Sequence, residues 1–423
     1  MAQLSESKAP PLVTIIGRRG SAAAYTIRDF LHRCDIPFAW VEVTTDEESR
    51  SQAGVADLHD SRLPLCVFPD GTRLECPTIQ QITEKLGWFR NPLHTEYDLA
   101  IYGAGPAGLS AAVYGASEGL KTVLIERYAL GGQASSSPKI ENYLGFPAGI
   151  SGAELAERAR EQAERFGAEI LLAREGARVE YSPGQVAGYL ADGAKIVAHA
   201  TICATGVDYR RLGLPNEEQF LGAGLYYGAG ASEAPLTQGE DVTIVGGGNS
   251  AAQAALHFAA YARRVTMVVR DDSLSSTVSQ YLIDRIYATA NVEVLTQTEV
   301  IALDGDELLQ EITLIDRQTG QERRARTHWL FACIGGVPRT QWATEVGMVC
   351  DGGGYLVTGP DLLRDGQRPA NWPLDREPYY METNFPGIFA AGDVRHGSVK
   401  RCASAVGEGA MAVTFVHRYL ADG

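Results

Sequence analysis

Two glycine runs carry the chemistry of this chain. The first is Gly103-Ala104-Gly105-Pro106-Ala107-Gly108. The apolar run Leu99–Tyr102 precedes it, and the small, apolar stretch Ser110–Gly119 follows. A second apolar run, Thr122–Ile125, then ends on Glu126. Strand, tight turn, helix, strand and acid in that order describe a dinucleotide site. Gly103 permits the turn, Gly105 lets a pyrophosphate approach the backbone, and Gly108 lets helix and strand touch. The helix N-terminus faces the phosphates, and Glu126 accepts hydrogen bonds from a ribose. The second run is Gly246-Gly247-Gly248-Asn249-Ser250-Ala251, after Asp241–Val245. Gly246, Gly248 and Ala251 fill the three fingerprint positions, with Asn249 and Ser250 opening the helix. Its next strand, Val265–Val269, ends on Arg270. An acid there suits the 2′-hydroxyl of NAD, whereas an arginine suits a 2′-phosphate. NADPH is therefore favoured, with NADH possible. A second dinucleotide fold that no longer binds its cofactor stays open as an alternative.

Other chemistries find little support. Formal net charge is −15, from 37 basic and 52 acidic residues. An acidic chain with no basic run is a poor nucleic-acid binder. No apolar stretch approaches the roughly 20 residues that span a bilayer. Met1–Lys8 has no signal-peptide core, so a cytoplasmic location is expected. Seven cysteines are scattered at 34, 66, 76, 203, 333, 350 and 402, with no C-x-x-C and no metal-ligand spacing. They read as reduced core residues, and no metal is expected.

The elements around these motifs fall in order. Residues 11–88 read as a small α/β unit. Its strands are Leu12–Ile16, Phe38–Val43, Leu65–Phe68 and Arg73–Cys76, the last two joined by an Asp-Gly turn. Its helices are Ser21–Cys34, with Ile27, Phe30 and Leu31 on one face, a polar Asp46–Leu58, and Thr78–Leu86. This order, with Leu63-Pro64 before the third strand, resembles the glutaredoxin/thioredoxin fold. The resemblance places that family's redox cysteines on Ser21 and Ala24 and its cis-proline on Pro64. Without thiols at those two positions the unit cannot exchange dithiols there. A docking platform for a protein partner and a plain packing module remain equal readings. Asn91–Glu96 is a polar linker.

Beyond the linker a second resemblance appears. Gly131-Gly132-Gln133, followed by Ile140-Glu141-Asn142-Tyr143-Leu144-Gly145-Phe146-Pro147, resembles the low-molecular-weight thioredoxin reductases. The resemblance implies FAD, with Gly132, Gln133 and Asn142 beside the flavin. Ser151-Gly152-Ala153-Glu154 is a capping box opening a helix through Phe166. Thr205-Gly206, at the end of Thr201–Gly206, matches the hand-over to the pyridine-nucleotide segment. Ile334-Gly335, in Phe331–Gly335, matches the return. Gly387–Val394 matches the second FAD segment, with Asp393 after Gly392 reaching the ribityl hydroxyls. Lys400-Arg401 follows, and Gly407-Glu408-Gly409 starts the last helix. Where that family carries His-Arg-Arg and a later arginine, this chain has Val269-Arg270-Asp271 and Ser275. Its Cys-x-x-Cys falls on Ala229 and Ser232, and the following acid falls on Glu233. The resemblance makes Glu233 a candidate proton donor, while the redox-cysteine positions are lost.

The expected fold is α/β: two Rossmann-like, three-layer dinucleotide domains, one inserted in the other, after a thioredoxin/glutaredoxin-like unit. The expected divisions are 1–90, a 91–96 linker, FAD domain 97–211, NAD(P) domain 212–335 and FAD domain 336–423. The expected function is hydride transfer from NAD(P)H to FAD as the domains rotate. Direct electron transfer then reduces a protein disulfide, a ferredoxin-like protein or a small molecule. The alternative is an FAD-containing regulatory or redox-sensing protein with little turnover. A homodimer is expected from the resemblance alone.

Overall fold

The computed structural model describes residues 10–370 and 372–422. The leading segment, where no signal peptide was expected, lies outside the described residues. The chain divides into two compact units. One gathers the chain up to Ile79, Ser136–Pro138 and Tyr209–Gly335; the other gathers Gln80–Ser135, Lys139–Asp208 and Gly336 onward.

The first unit begins with a four-stranded sheet in the order Phe38–Glu42, Val13–Gly17, Leu65–Val67, Arg73–Glu75. The first pair is parallel and the other two are antiparallel. Val13 and Ile15 are wholly buried, which suits the apolar central strand. The Leu63–Pro64 bond is cis. The helix runs Ala22–Arg33, and Ser21 caps it by accepting the Ala24 amide at 3.2 Å. Its buried face holds Ala24, Ile27, Phe30 and Leu31, and also a cation, Arg28. The polar helix expected over Asp46–Leu58 is cut short. One turn, Asp46–Glu48, widens into a π-type turn, Ser49–Ala53, and stops at Gly54 in the left-handed region (φ +73°). Arg73 Nη2 donates to the Ala53 carbonyl at 2.6 Å and closes that end.

A five-stranded parallel sheet forms the rest of this unit. Its order is Leu225–Tyr227, Trp329–Ala332, Asp241–Val245, Arg264–Val268, Val292–Leu295. Alternate residues face opposite ways. Ile244, Met267, Trp329 and Phe331 join the Asn249–Phe258 and Gln280–Ala288 helices in one core. Val245, Val268 and Leu330 join Ile312 and Leu314 of an antiparallel three-stranded sheet in the other. The N-terminal helix attaches to the first core: Tyr25 meets Tyr226 edge-on, ring centroids 4.9 Å apart.

The second unit is built on seven strands. Glu169–Leu172, Thr122–Glu126, Glu96–Tyr102 and Lys195–Cys203 run parallel in that order. Lys195–Cys203 then pairs antiparallel with Gln185–Leu190 and, at its other end, parallel with Ile388–Ala390. The Ser151 cap accepts the Glu154 amide at 3.1 Å and opens the Gly152–Arg165 helix. The last helix spans Cys402–Asp422 and so begins before Gly407, where the sequence suggested. Its glycines serve contact instead: a Cβ on Gly409 would lie 2.1 Å from the Ala107 carbonyl oxygen. That contact brings it against the Pro106–Ser117 helix, where Ser110 Oγ donates to Val406 O at 2.8 Å. No helix among the described residues is long and apolar enough to cross a membrane.

Candidate functional site

In the second unit, three strand ends lie level: Cys203 pairs in register with both Tyr102 and Ala390. The turns that follow therefore leave one edge of the sheet together, the edge where open α/β folds bind ligands. Gly103 (φ +104°) starts the first turn, and a Cβ there would sit 2.4 Å from Ala204 O. A Cβ on Gly108 would sit 1.8 Å from Gly103 O. Gly105 differs: its nearest neighbour would be the Gly132 Cα at 4.0 Å. It caps the Pro106–Ser117 helix with no side-chain bond, so amides at the helix start face open space. A pyrophosphate fits this cradle. Glu126 is buried at the end of its strand, where its carboxylate accepts the Ala104 amide at 2.7 Å and the Tyr128 amide at 2.8 Å.

The remaining flavin candidates lie in the loops of this unit. The Gly131 amide donates to Ala104 O at 2.8 Å, joining the Gly131–Gln133 loop to the turn. Gln133 Nε2 donates to Val207 O at 2.6 Å. Thr205 is exposed beside Gly206 (φ +64°) directly after the central strand. Asp393 follows Gly392, and burial pushes its carboxyl above the usual range despite the nearby Lys400. Lys400 Nζ donates to the Asp393 carbonyl at 2.8 Å, and burial lowers its ammonium. Arg401 is exposed, bonded to Lys400 O at 3.1 Å. Asn142 lies exposed in a loop closed by the Ile140–Ile150 bridge, without a hydrogen bond among the described residues that ties it to the edge. One contributor had gone unassigned. Glu408 accepts the Gly392 amide and Arg395 Nη2, both at 2.7 Å, and so fixes the turn that carries Asp393. An acid inside a small-residue helix was its signal.

The first unit repeats the arrangement. Val245 is level with Val268 and with Ala332. A Cβ on Gly246 (φ +140°) would meet Cys333 O at 2.3 Å, whereas around Gly248 nothing lies within 4 Å. Gly248 caps the Asn249–Phe258 helix without a side-chain bond. Ala251 is buried and Ser250 exposed. Asn249 exchanges two bonds with Ser279: Nδ2 to Oγ at 3.1 Å, and Ser279 N to Oδ1 at 2.8 Å. Thr277, not singled out beforehand, donates to Gly247 O. Arg270 is exposed, its Nε 3.8 Å from Asp271 Oδ1. Ile334 packs against the second core, and Gly335 (φ +85°) turns at the same edge. NADP fits this edge as FAD fits the other, through an open glycine before an uncapped helix.

The loop after Leu225–Tyr227 carries the three positions that the resemblance singled out. Ala229 and Ser232 are buried, and Glu233 is wholly so. Glu233 Oε1 accepts Arg28 Nε at 3.1 Å and Ser232 Oγ at 3.3 Å, and its Oε2 accepts Arg28 Nη2 at 2.7 Å. Burial would lower the Arg28 guanidinium, but the Glu233 carboxylate gives a net rise. A proton donor was expected at Glu233; the structure gives it a guanidinium partner on the N-terminal helix. Sequence reading passed over Arg28, although it lies on that helix's apolar face. None of the seven cysteines is joined in a disulfide. Burial pushes Cys66, Cys203 and Cys333 up to about 12 and Cys402 up to about 11, so none of these four is a ready thiolate. No His, Cys, Asp or Glu cluster among the described residues could hold a metal.

Known proteins share this architecture. Residues 97–409 match the family described as Pyridine nucleotide-disulphide oxidoreductase. The chain is 35% identical to "NADPH-dependent thioredoxin reductase 3" of Arabidopsis thaliana over 76% of its own length, spanning 58% of that protein. It is 33% identical to a thioredoxin reductase of Bacillus subtilis, covering 77% of this chain and 95% of that one. The crystal structure of Lactococcus lactis thioredoxin reductase (FR conformation) superposes with a TM-score of 0.69 at 27% identity, over 77% of this chain and 100% of that one. FAD and NADPH are the cofactors of thioredoxin reductases, and both open edges suit them. This chain, a thioredoxin reductase-like flavoprotein oxidoreductase, belongs to the pyridine nucleotide-disulphide oxidoreductase family.

Proposed function

We propose that this chain is an NADPH-dependent flavoprotein reductase that hands electrons to an external acceptor with no internal dithiol relay. One observation carries the reading: Ala229 and Ser232 stand, buried, where the resembling reductases place their thiols. FAD supplies the redox chemistry when bound, taking a hydride from nicotinamide and releasing two electrons. The chain's own groups hold the reactants. Gly103, Gly105, Gly108 and Gly132 shape the pyrophosphate cradle, Glu126 takes the ribose, and Asp393 takes the ribityl hydroxyls. Gly246, Gly248 and Ala251 shape the NADPH cradle, with Arg270 toward the 2′-phosphate. NADPH and a proton yield NADP⁺ and an acceptor reduced by two electrons. A disulfide on a protein partner satisfies that balance as two thiols; with a one-electron protein of the ferredoxin type, two copies take one electron each and a proton is released instead.

The N-terminal unit, in this reading, is a glutaredoxin/thioredoxin-like module without the redox cysteine pair. Its strand order and the alignment of Ser21 and Ala24 with redox cysteines support this. It works by contact through Arg28 rather than by exchange. A second reading, an FAD-containing regulatory protein with little turnover, draws on Arg270, whose charge is partly answered by Asp271. Anaerobic mixing with NADPH and with NADH separates the two. Bleaching of the flavin supports the reductase, and none with either nucleotide supports the regulator. Vigorous reduction of a protein disulfide without an added dithiol carrier contradicts the missing relay only if Ala229 and Ser232 are bypassed by another thiol.

A further inference from the structure

Within the first unit, where the N-terminal helix meets the parallel sheet, lies a cavity that neither cofactor edge uses. Arg19, Arg28, Trp40, Tyr226, Glu233 and Trp329 line it, with the exposed Glu42. Its volume is about 20 Å³. That room suits one small species and excludes a nucleotide or a peptide.

The lining is unusual in its hydrogen bonding. Arg19 Nη2, Arg28 Nη1, Trp40 Nε1 and Trp329 Nε1 are all buried without a partner. All four can only donate. Buried donors left unmade cost stability, and four around one cavity call for a common acceptor. Their planes are also held in place. Arg19 lies over the Trp329 ring at 4.6 Å, and Arg28 lies over the Trp40 ring at 4.2 Å.

Charge points the same way. Glu233 already answers Arg28, and its oxygens accept from Arg28 and Ser232. Arg19 has only a distant partner, Glu240, at 3.8 Å with both side chains about a third exposed. Arg19 is therefore without a close carboxylate, although the lining also holds the exposed Glu42. Tyr226 donates its hydroxyl to Gly222 O at 3.3 Å and so supplies no further donor. A water has two lone pairs and so answers at most two of the four donors. An anion needs donors only.

We propose that this cavity binds one small inorganic anion of halide size, which ties the N-terminal unit to the nucleotide-type sheet. The anion accepts from both indoles and both guanidiniums and fixes the two arginine–tryptophan stacks against each other.

Bromide is the probe, with the full chain and with gluconate, too large for the cavity, as the control anion at equal ionic strength. Binding to the folded state alone raises the melting temperature as bromide rises. The expected result is a bromide-dependent rise absent in gluconate. Crystals grown in bromide are expected to show an anomalous peak within hydrogen-bond distance of Trp329 Nε1 and Arg28 Nη1. Trp40→Phe and Trp329→Phe keep the ring and remove the N–H. In either one, half-maximal stabilisation is expected to need at least about tenfold more bromide, the effect of losing one such bond. Equal melting in both salts, a cavity filled by water in bromide crystals, or a bromide effect unchanged in both variants would overturn the proposal.

Discussion

Arg28 and Glu233, 205 positions apart in the chain, form a bidentate ion pair with N–O distances of 3.1 and 2.7 Å. Both side chains are almost wholly buried. Two consequences follow for the loop that carries Ala229 and Ser232. The loop is held by the N-terminal helix, and its acid is committed to that helix.

Breaking a buried pair from one side strands the other charge. Glu233→Ala is expected to lower unfolding stability by about 3–5 kcal/mol, read by urea denaturation. Arg28→Met combined with Glu233→Leu is expected to recover much of that loss. A single-variant loss below about 1 kcal/mol, the scale of an exposed pair, contradicts the burial argument. Glu233→Gln also tests the proton-donor role. If the residue acts structurally, NADPH reduces the flavin at a rate within about twofold of the parent, far from the 10²–10⁴-fold worth of general acid catalysis.

The cradle at Gly105 separates binding from folding. Gly105→Val places a side chain where the nearest atom to its Cβ is 4.0 Å away. The variant is expected to fold and melt like the parent but to purify with little flavin, read from the ratio of flavin to protein absorbance. Gly108→Val, with its Cβ 1.8 Å from Gly103 O, is expected to lose stability as well. Full flavin content in Gly105→Val would show that the cofactor does not approach here.

Nucleotide choice rests on one exposed arginine. Arg270→Ala is expected to raise the KM for NADPH about tenfold, the order of one charged contact, and to leave NADH unchanged. Asp271→Asn is expected to move NADPH the other way. Equal effects on both nucleotides would remove the 2′-phosphate from this position.

Acid pH is expected to weaken the first unit through His257. Burial, with help from His32, lowers its imidazole to about 4, against a bonding contribution from the Ala231 backbone that raises it; His32 is itself lowered by burial. As pH falls below 6.5 the unfolded chain binds a proton that the folded His257 refuses until about pH 4. Stability is therefore full above pH 6.5 and declines between 6.5 and about 4. Urea midpoints across that range should fall in the parent and fall less in His257→Gln. Identical slopes would assign the acid sensitivity elsewhere.

Much of this was legible because some motifs encode local geometry. Gly103 takes a φ of +104° in its own turn, Gly108 is forced by the Gly103 carbonyl within the same strand–turn–helix, and Ser21 and Ser151 cap helices three residues away. Such signals need no knowledge of the rest of the fold. The last helix was misplaced because Gly407 and Gly409 read as a start, whereas Gly409 answers to Ala107 on a distant helix. The Asp46–Leu58 helix failed because its polar turns bury little and Gly54 ends them. Arg28 looked ordinary on its helix, and Glu233 stood out only through the resemblance. Their ion pair shows only in the fold, since nothing local to Glu233 announces an arginine 205 positions earlier. The four donors of the small cavity are likewise scattered through the chain.

The central claim is a flavin with no internal dithiol behind it, and electron counting tests it most directly. In an anaerobic titration of the FAD-loaded chain with NADPH, the flavin's long-wavelength band is expected to bleach fully at about one equivalent per FAD, since each carries one electron pair. Full bleaching only at about two equivalents would reveal a second two-electron acceptor in the chain and contradict the account; so would a band that NADPH leaves untouched.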